Sequence, residues 1–171
     1  MKDLQQFLND IGARESGGKY NILNKYGYAG KYQMGEMALV DAGYYVKSNK
    51  KYNNDWTGKF IGKDGVLSIH DFLNNPYAQE KAQLIYKRKQ WNYLKAVGAD
   101  KYLGKNINGY TITASGLLAG AHLKGAGSVM KYLKSNGQII EKDGFGTSIE
   151  SYMKKFLGYD VSQITGRKEN L

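Results

Sequence analysis

Residues 114–121 read Ala-Ser-Gly-Leu-Leu-Ala-Gly-Ala, a stretch without one charged side chain. Ala114, Leu117, Leu118 and Ala121 stand at i, i+3, i+4 and i+7, the spacing of one helical face, while Gly116 and Gly120 form a second face of bare backbone. Such a helix belongs in the interior, and its glycines let a neighbour approach closely. The rest of the chain must therefore supply elements that pack around it. Gly125-Ala126-Gly127 ends it.

Those elements are mostly helical. Leu4, Phe7, Leu8 and Ile11 repeat the helical spacing and are followed by Glu15-Ser16-Gly17-Gly18, in which the two glycines suit a helix C-cap. A second helix is predicted from Glu36 to about Val46, with Met37, Val40 and Tyr44 on one face. Ser68-Ile69-His70-Asp71 opens a short helix. Asn75 as N-cap and Pro76 at the first helical position open the longest one, over about Tyr77 to Val97. A short helix follows over Ser128 to about Ser135. Thr147-Ser148-Ile149-Glu150 reads as a capping box ahead of Ile149, Tyr152, Met153, Phe156 and Leu157. The β signal is small: a turn at Asn53-Asn54-Asp55, loose alternation from Trp56 to Ile61, and a turn at Lys63-Asp64-Gly65 before Val66 and Leu67 predict one hairpin. Residues 16–35 read as an ordered loop, and Tyr159 to Leu171 as a loosely held polar tail. The expected fold class is mainly α, of α+β type. With 171 residues and neither repeat nor linker, a single domain is expected.

Composition narrows the function. With 42% hydrophobic and 23% charged residues the chain has the make-up of a soluble folded protein, and no apolar run reaches membrane-spanning length, so stable membrane insertion is not expected. The N-terminus lacks the continuous apolar core of a signal peptide, so the usual export signal is not expected. There is no Cys, and His70 and His122 stand alone, so neither a metal nor another cofactor is expected; His70 reads as structural. A net charge of +10 favours an anionic partner: nucleic acid, anionic lipid or an anionic cell envelope. The densest basic runs, Lys47 to Lys51 and Lys87-Arg88-Lys89, carry no nucleic-acid motif and read as solvated faces, so no nucleic-acid partner is expected. Fifteen tyrosines offer rings suited to lying against sugars as well as to packing.

Glu15 carries the candidate chemistry. It lies eleven residues past Leu4 and continues the apolar stripe of the first helix. Desolvation and the negative end of the helix dipole both disfavour an ionised carboxylate there, so a raised pKa is expected. A carboxyl neutral at pH 7 can protonate a leaving group.

Four segments in order resemble the goose-type lysozyme and soluble lytic transglycosylase group, peptidoglycan-cleaving members of the lysozyme-like superfamily. Ala13-Arg14-Glu15-Ser16-Gly17-Gly18 matches the family's Glu-Ser at a helix end. Gly30-Lys31-Tyr32-Gln33-Met34 matches its Gly-Leu-Met-Gln, with Lys31-Tyr32 in place of Leu-Met. Gly120-Ala121-His122-Leu123-Lys124-Gly125-Ala126-Gly127 matches its Ala-Ala-Tyr-Asn-Ala-Gly-Pro-Gly at the small residues, with His122 for Tyr and Leu123 for Asn. Glu150-Ser151-Tyr152 matches a Glu-Thr followed by Tyr.

The resemblance implies a helical lysozyme-like domain with a small β-hairpin region beside the cleft. It makes Glu15 the catalytic acid and Ser16, Tyr32, Gln33, Met34, His122 and Tyr152 substrate-binding residues. Inverting hydrolysis also needs a second carboxylate about 6.5–9.5 Å away. Glu36, Asp41, Asp55 and Asp64 are candidates, and the family's placement of the base near the β region points to Asp55. A lytic transglycosylase instead lets the sugar's 6-hydroxyl attack. The implied partner is bacterial peptidoglycan within an anionic envelope. The implied protein is a monomer made in the cytoplasm and acting at the cell wall after release or delivery, as a phage endolysin, a tail lysozyme or a secreted effector does. The competing expectation is a non-catalytic lysozyme-like module that binds glycan or the anionic envelope.

Overall fold

The computed structural model describes residues 2–49 and 51–171; Met1 and Lys50, the latter within the basic run 47–51, lie outside the described residues. The fold is mainly α with two small antiparallel hairpins. In chain order the elements are α1 (Leu4–Ser16), α2 (Glu36–Asp41), β1 (Tyr45–Val46), β2 (Lys59–Phe60), α3 (Ile69–Leu73), α4 (Pro76–Ala96), β3 (Asn106–Ile107), β4 (Tyr110–Thr111), α5 (Ala114–Lys124), α6 (Ala126–Lys134), α7 (Ile149–Lys155) and α8 (Ser162–Thr165). They divide into two compact units. One is Leu8–Lys89, and the other is Gln90–Leu171 with the start of the chain up to Phe7.

In the unit of residues 8–89, α1 buries Leu8 and Ile11 and ends as its glycines dictate. Gly17 (φ 68°) donates to Ala13 O at 3.0 Å and Gly18 (φ 79°) to Gly12 O at 3.2 Å, a left-handed cap that takes up the last carbonyls. The second helix is shorter than its spacing suggests. It stops at Asp41 because Gly43 turns the chain at φ 83°, and Tyr45 then enters β1. The hairpin also differs from expectation. Tyr45 pairs with Phe60 and Val46 with Lys59, so the partner of β2 lies upstream, while Lys63–Gly65 is a 3-10 turn. Ring packing accounts for the choice: Tyr45 meets Phe60 at 4.9 Å and Trp56 at 5.2 Å. Ser68 caps α3 by accepting from Asp71 N at 3.0 Å, and Asn75 caps α4 by accepting from Ala78 N at 3.0 Å.

In the unit of residues 90–171, every residue of α5 from Ala114 to Ala121 is buried. Its glycines set the spacing: a Cβ on Gly116 would lie 3.1 Å from Met153 O, and one on Gly120 would lie 2.9 Å from Met153 Cγ. Thus α7 packs directly on α5. The N-cap of α7 is Ser148, which accepts from Ser151 N at 3.0 Å, one residue later than the expected Thr147; Ser151 stands at the third helical position and donates to Ser148 O at 2.8 Å, so no reciprocal box forms. Glu150, thereby freed from the box, accepts from Tyr132 Oη at 2.6 Å. The hairpin of β3 and β4 turns on Asn108 (φ 51°) and Gly109 (φ 85°), the two left-handed residues that a tight hairpin needs. The expected loose tail is instead packed. Tyr159, Val161 and Ile164 are buried, and Glu169 accepts from Ala114 N at 3.0 Å, capping α5.

Candidate functional site

The site grows from the end of α1. Glu15 is half-buried in its last turn, and the next residue ties that turn to the loop beyond. The Ser16 hydroxyl donates to Lys31 O at 2.7 Å, with Gly12 O also in reach at 3.1 Å. It accepts from Lys19 N at 3.1 Å. Ser16, expected to bind substrate, is thus placed as a brace between α1 and the loop.

The loop is held from its other side by α4. Gln79, buried in the first turns of α4, accepts from Lys31 N at 2.9 Å and donates to Phe72 O at 2.8 Å and Tyr20 O at 3.0 Å. Gly30 makes this approach possible: at φ 78° it takes a left-handed conformation, and a Cβ there would lie 2.2 Å from Gln79 Oε1. The Lys31 side chain crosses α1 at Gly12, where a Cβ would lie 2.7 Å from Lys31 Cε. Its ammonium meets Glu80 Oε2 at 2.7 Å and Asn9 Oδ1 at 3.0 Å. Glu80 also accepts from Tyr20 Oη at 2.7 Å and Tyr32 Oη at 2.5 Å.

The charges of this latch explain one another. Burial pushes the Glu80 carboxyl up, but donation by Lys31, Tyr32 and Tyr20 and the Lys31 charge outweigh it and hold Glu80 below the usual carboxylate range. The bond to Glu80, followed by burial, pushes Tyr20 up to about 12. Burial and then the same carboxylate raise Tyr32 further.

Between Gly30 and Gly35 the chain makes a tight turn in which Ala29 and Met34 exchange both backbone bonds, at 3.0 and 2.9 Å. Tyr32 is 1% exposed and Met34 2%, so the expected sugar contacts at these positions are interior side chains. Gln33 differs. Held at φ 51°, it remains partly exposed, and its side-chain amide donates to Gly30 O at 3.0 Å.

On α4 the basic run Lys87-Arg88-Lys89 is not the solvated face expected of it. Arg88 and Lys89 are exposed, but Lys87 is 0% exposed. It continues the buried row of Gln79 and Gln83 along α4 at intervals of four residues. Burial drives its ammonium down to about 7, while the charge of Glu15 acts in the opposite sense. The Lys87 ammonium also lies 5.1 Å from the Tyr86 ring centroid.

The candidate second carboxylates are mostly occupied. Glu36 is buried and accepts from Tyr45 Oη at 2.5 Å, Asn54 N at 2.6 Å and Asn53 N at 3.2 Å, which fastens the 53–54 turn to β1. Asp64 accepts from the Tyr44 hydroxyl and from Lys81 Nζ at 3.3 Å. Asp41 ends α2, partly exposed. Asp55 is exposed and accepts from Thr57 N at 3.1 Å and Thr57 Oγ1 at 2.8 Å. Among the described residues no group of three or more His, Asp or Glu side chains is placed to hold a metal ion.

Glu15, Ser16, Tyr32, Gln33, Met34 and Asp55 all belong to the unit of residues 8–89, whereas His122 and Tyr152 belong to the other. His122 is half-buried in the last turn of α5. Tyr152 is 1% exposed in α7, with its ring 5.0 Å from that of Phe156. His70 is exposed on α3, beside Asn74.

Compared with known protein families, with curated proteins and with solved structures, the chain matches none.

Proposed function

We propose that the chain is a peptidoglycan-cleaving glycosidase that breaks the β-1,4 bond between N-acetylmuramic acid and N-acetylglucosamine, with Glu15 as general acid. The observation that carries this reading is the fastening of the Gly30–Gly35 turn to the end of α1 through Ser16, which brings the first two segments of the family resemblance into one unit. Glu15 lies half-buried in the braced helix turn, and Gln33 is the partly exposed member of the Tyr32-Gln33-Met34 segment. Glu15 gives its proton to the glycosidic oxygen as the C1–O bond breaks, and positive charge develops at the anomeric carbon. Capture by water, with loss of a proton to a base, completes hydrolysis. Capture by the sugar's 6-hydroxyl, with its proton passing to the ionised Glu15, completes transglycosylation. Gln33 is the proposed glycan contact, and Tyr32, Met34 and Ser16 hold it in place.

The net charge of +10 supports association with an anionic envelope. Mass spectrometry of material released from purified cell walls tests the reading. Muropeptides with reducing ends mean hydrolysis, and 1,6-anhydro ends mean transglycosylation. Wall binding without any released muropeptide sinks the enzyme and leaves a binding module.

A further inference from the structure

Two loops of the unit of residues 8–89, spanning 24–28 and 52–57, are locked together around Asn54. Its side-chain amide donates to Tyr26 O at 3.4 Å and accepts from Glu36 N at 2.8 Å, while Trp56 Nε1 donates to Gly27 O at 2.9 Å. The fit leaves no room for added side chains: a Cβ on Gly27 would lie 2.2 Å from Asn54 O, and one on Gly35 would lie 2.7 Å from Asn54 Oδ1 and 2.9 Å from Tyr28 Cε1. The Tyr28 ring thus lies against Gly35, next to the Asn54 amide. Asn54 and Trp56 both stand at φ 58°, a left-handed backbone that asparagine tolerates and that is strained for the bulky tryptophan. Such strain persists only where the surroundings dictate it, and it is concentrated at sites that clamp ligands. The indole is fixed besides by its stack on Phe60, with centroids 5.8 Å apart.

On this braced frame Tyr26, Tyr28 and Tyr52 are each at least 40% exposed. Rings held in place yet open to solvent suit contact with the apolar face of a ligand. Cations accompany them: Lys25 Nζ lies 5.1 Å from the Tyr26 ring centroid, and Lys47 Nζ lies 4.8 Å from that of Tyr52. The one acid in these loops, Asp55, accepts from Thr57 N and Oγ1. The surface also continues the proposed glycan contact, because Tyr28 and Gly35 flank the paired Ala29–Met34 turn that carries Gln33. A matching ligand has flat apolar faces, polar edges and negative charge. A strand of pyranose rings with acidic peptide stems has all three. We propose that Tyr26, Tyr28 and Tyr52 form a platform on which the peptidoglycan strand lies, with Lys25 and Lys47 taking the carboxylates of its stems. The identity of the strand rests on the function proposed above; the presence of a binding platform does not.

The test is sedimentation of the full chain with purified, insoluble cell walls, every protein carrying Glu15→Gln so that the walls are not consumed. Tyr26→Ser, Tyr28→Ser and Tyr52→Ser together should weaken binding at least about tenfold, whereas the same three positions changed to Phe should stay within about threefold. Urea unfolding confirms that both variants are folded. Lys25→Gln with Lys47→Gln should weaken wall binding by about two- to fivefold and leave binding of chitotetraose, which has no carboxylate, unchanged. Wall binding by the folded Ser variant within about twofold of the unsubstituted platform overturns the proposal. So does tighter binding of single-stranded DNA than of wall fragments by the same rings, since tyrosines with lysines also make nucleic-acid platforms. If the Ser variant loses wall binding and the chain with Glu15 intact releases no muropeptide, the platform stands and the glycosidase reading falls. If that chain cleaves through Glu15 and the Ser variant binds walls as before, the reverse holds.

Discussion

Removing the Glu80 carboxylate should unfasten the loop that carries Gln33. In Glu80→Ala, Lys31 loses an ion pair at 2.7 Å, while Tyr20 and Tyr32 lose acceptors at 2.7 and 2.5 Å. The Lys31 side chain is 8% exposed and that of Glu80 32%, so the cation is left buried while the lost anion was already partly hydrated. Breaking a fully buried pair from one side costs about 3–5 kcal/mol, and the partial exposure of Glu80 lowers the expectation here to about 2–4 kcal/mol. Glu80→Gln keeps an acceptor for the tyrosines and should cost less, about 1–2 kcal/mol. Urea unfolding at pH 7, followed by tryptophan fluorescence, measures both, and a cycle with Lys31→Met separates the pair from its surroundings. The pH dependence has a fixed sign. The folded Glu80 carboxyl lies below its ordinary value, so its contribution is complete above the unfolded carboxyl pKa and is lost as pH falls through the folded one. The acid limb of stability should therefore be flatter in Glu80→Gln than in the parent. A loss under about 0.5 kcal/mol in Glu80→Ala, the level of an exposed pair, would refute this account of the latch.

The remaining predictions concern Lys87 and the glycines. Burial lowers the Lys87 ammonium from 10.5 to about 7, so between those values the unfolded chain binds the extra proton and folding gains stability as pH rises. Relative to Lys87→Met, the parent should gain about 3 kcal/mol between pH 6.5 and 9.5, at about 1.4 kcal/mol per unit. Parallel stability curves for the two proteins would contradict this. Gly30→Ala, at φ 78° with a Cβ 2.2 Å from Gln79 Oε1, should cost about 3 kcal/mol through strain and a displaced hydrogen bond. Gly17→Ala, at φ 68° with nothing within 4 Å, should cost only about 1 kcal/mol of strain. Equal losses measured in urea would remove the argument for close approach at Gly30.

Much of the helical framework was legible because it rests on local signals. The charge-free stretch at 114–121 is the interior of α5, and Ser68 and Asn75 cap the helices that they were expected to cap. Where reading failed, other forces had decided. Met37, Val40 and Tyr44 fit a helical spacing, yet Gly43 ends the turn and the packing of Tyr45 on Phe60 draws the chain into a strand. Asn108-Gly109, between Ile107 and Tyr110, is a two-residue hairpin signal that lies outside the one hairpin expected over residues 53–67. Of the candidate site, Glu15 and Gln33 stand out in the sequence because each sits at a punctuated position. Glu80 does not, since its bond to Lys31 spans 49 positions and no local pattern records such a pairing. Lys87 was misread for a geometric reason. Consecutive helical residues point about 100° apart, so a basic triplet cannot form one solvated face. The usable signal was the spacing of Gln79, Gln83 and Lys87, four residues apart, leading inward.

In the function proposed above, Glu15 supplies the proton that breaks the glycan. Glu15→Gln removes that proton while changing the side chain by one group, so the decisive measurement is the rate at which folded Glu15→Gln releases muropeptides from purified cell walls, set against the parent. The account requires release by the parent and a loss of at least about a hundredfold in the variant, the scale of a general acid's contribution. Release by the folded variant at the parent's rate would contradict it.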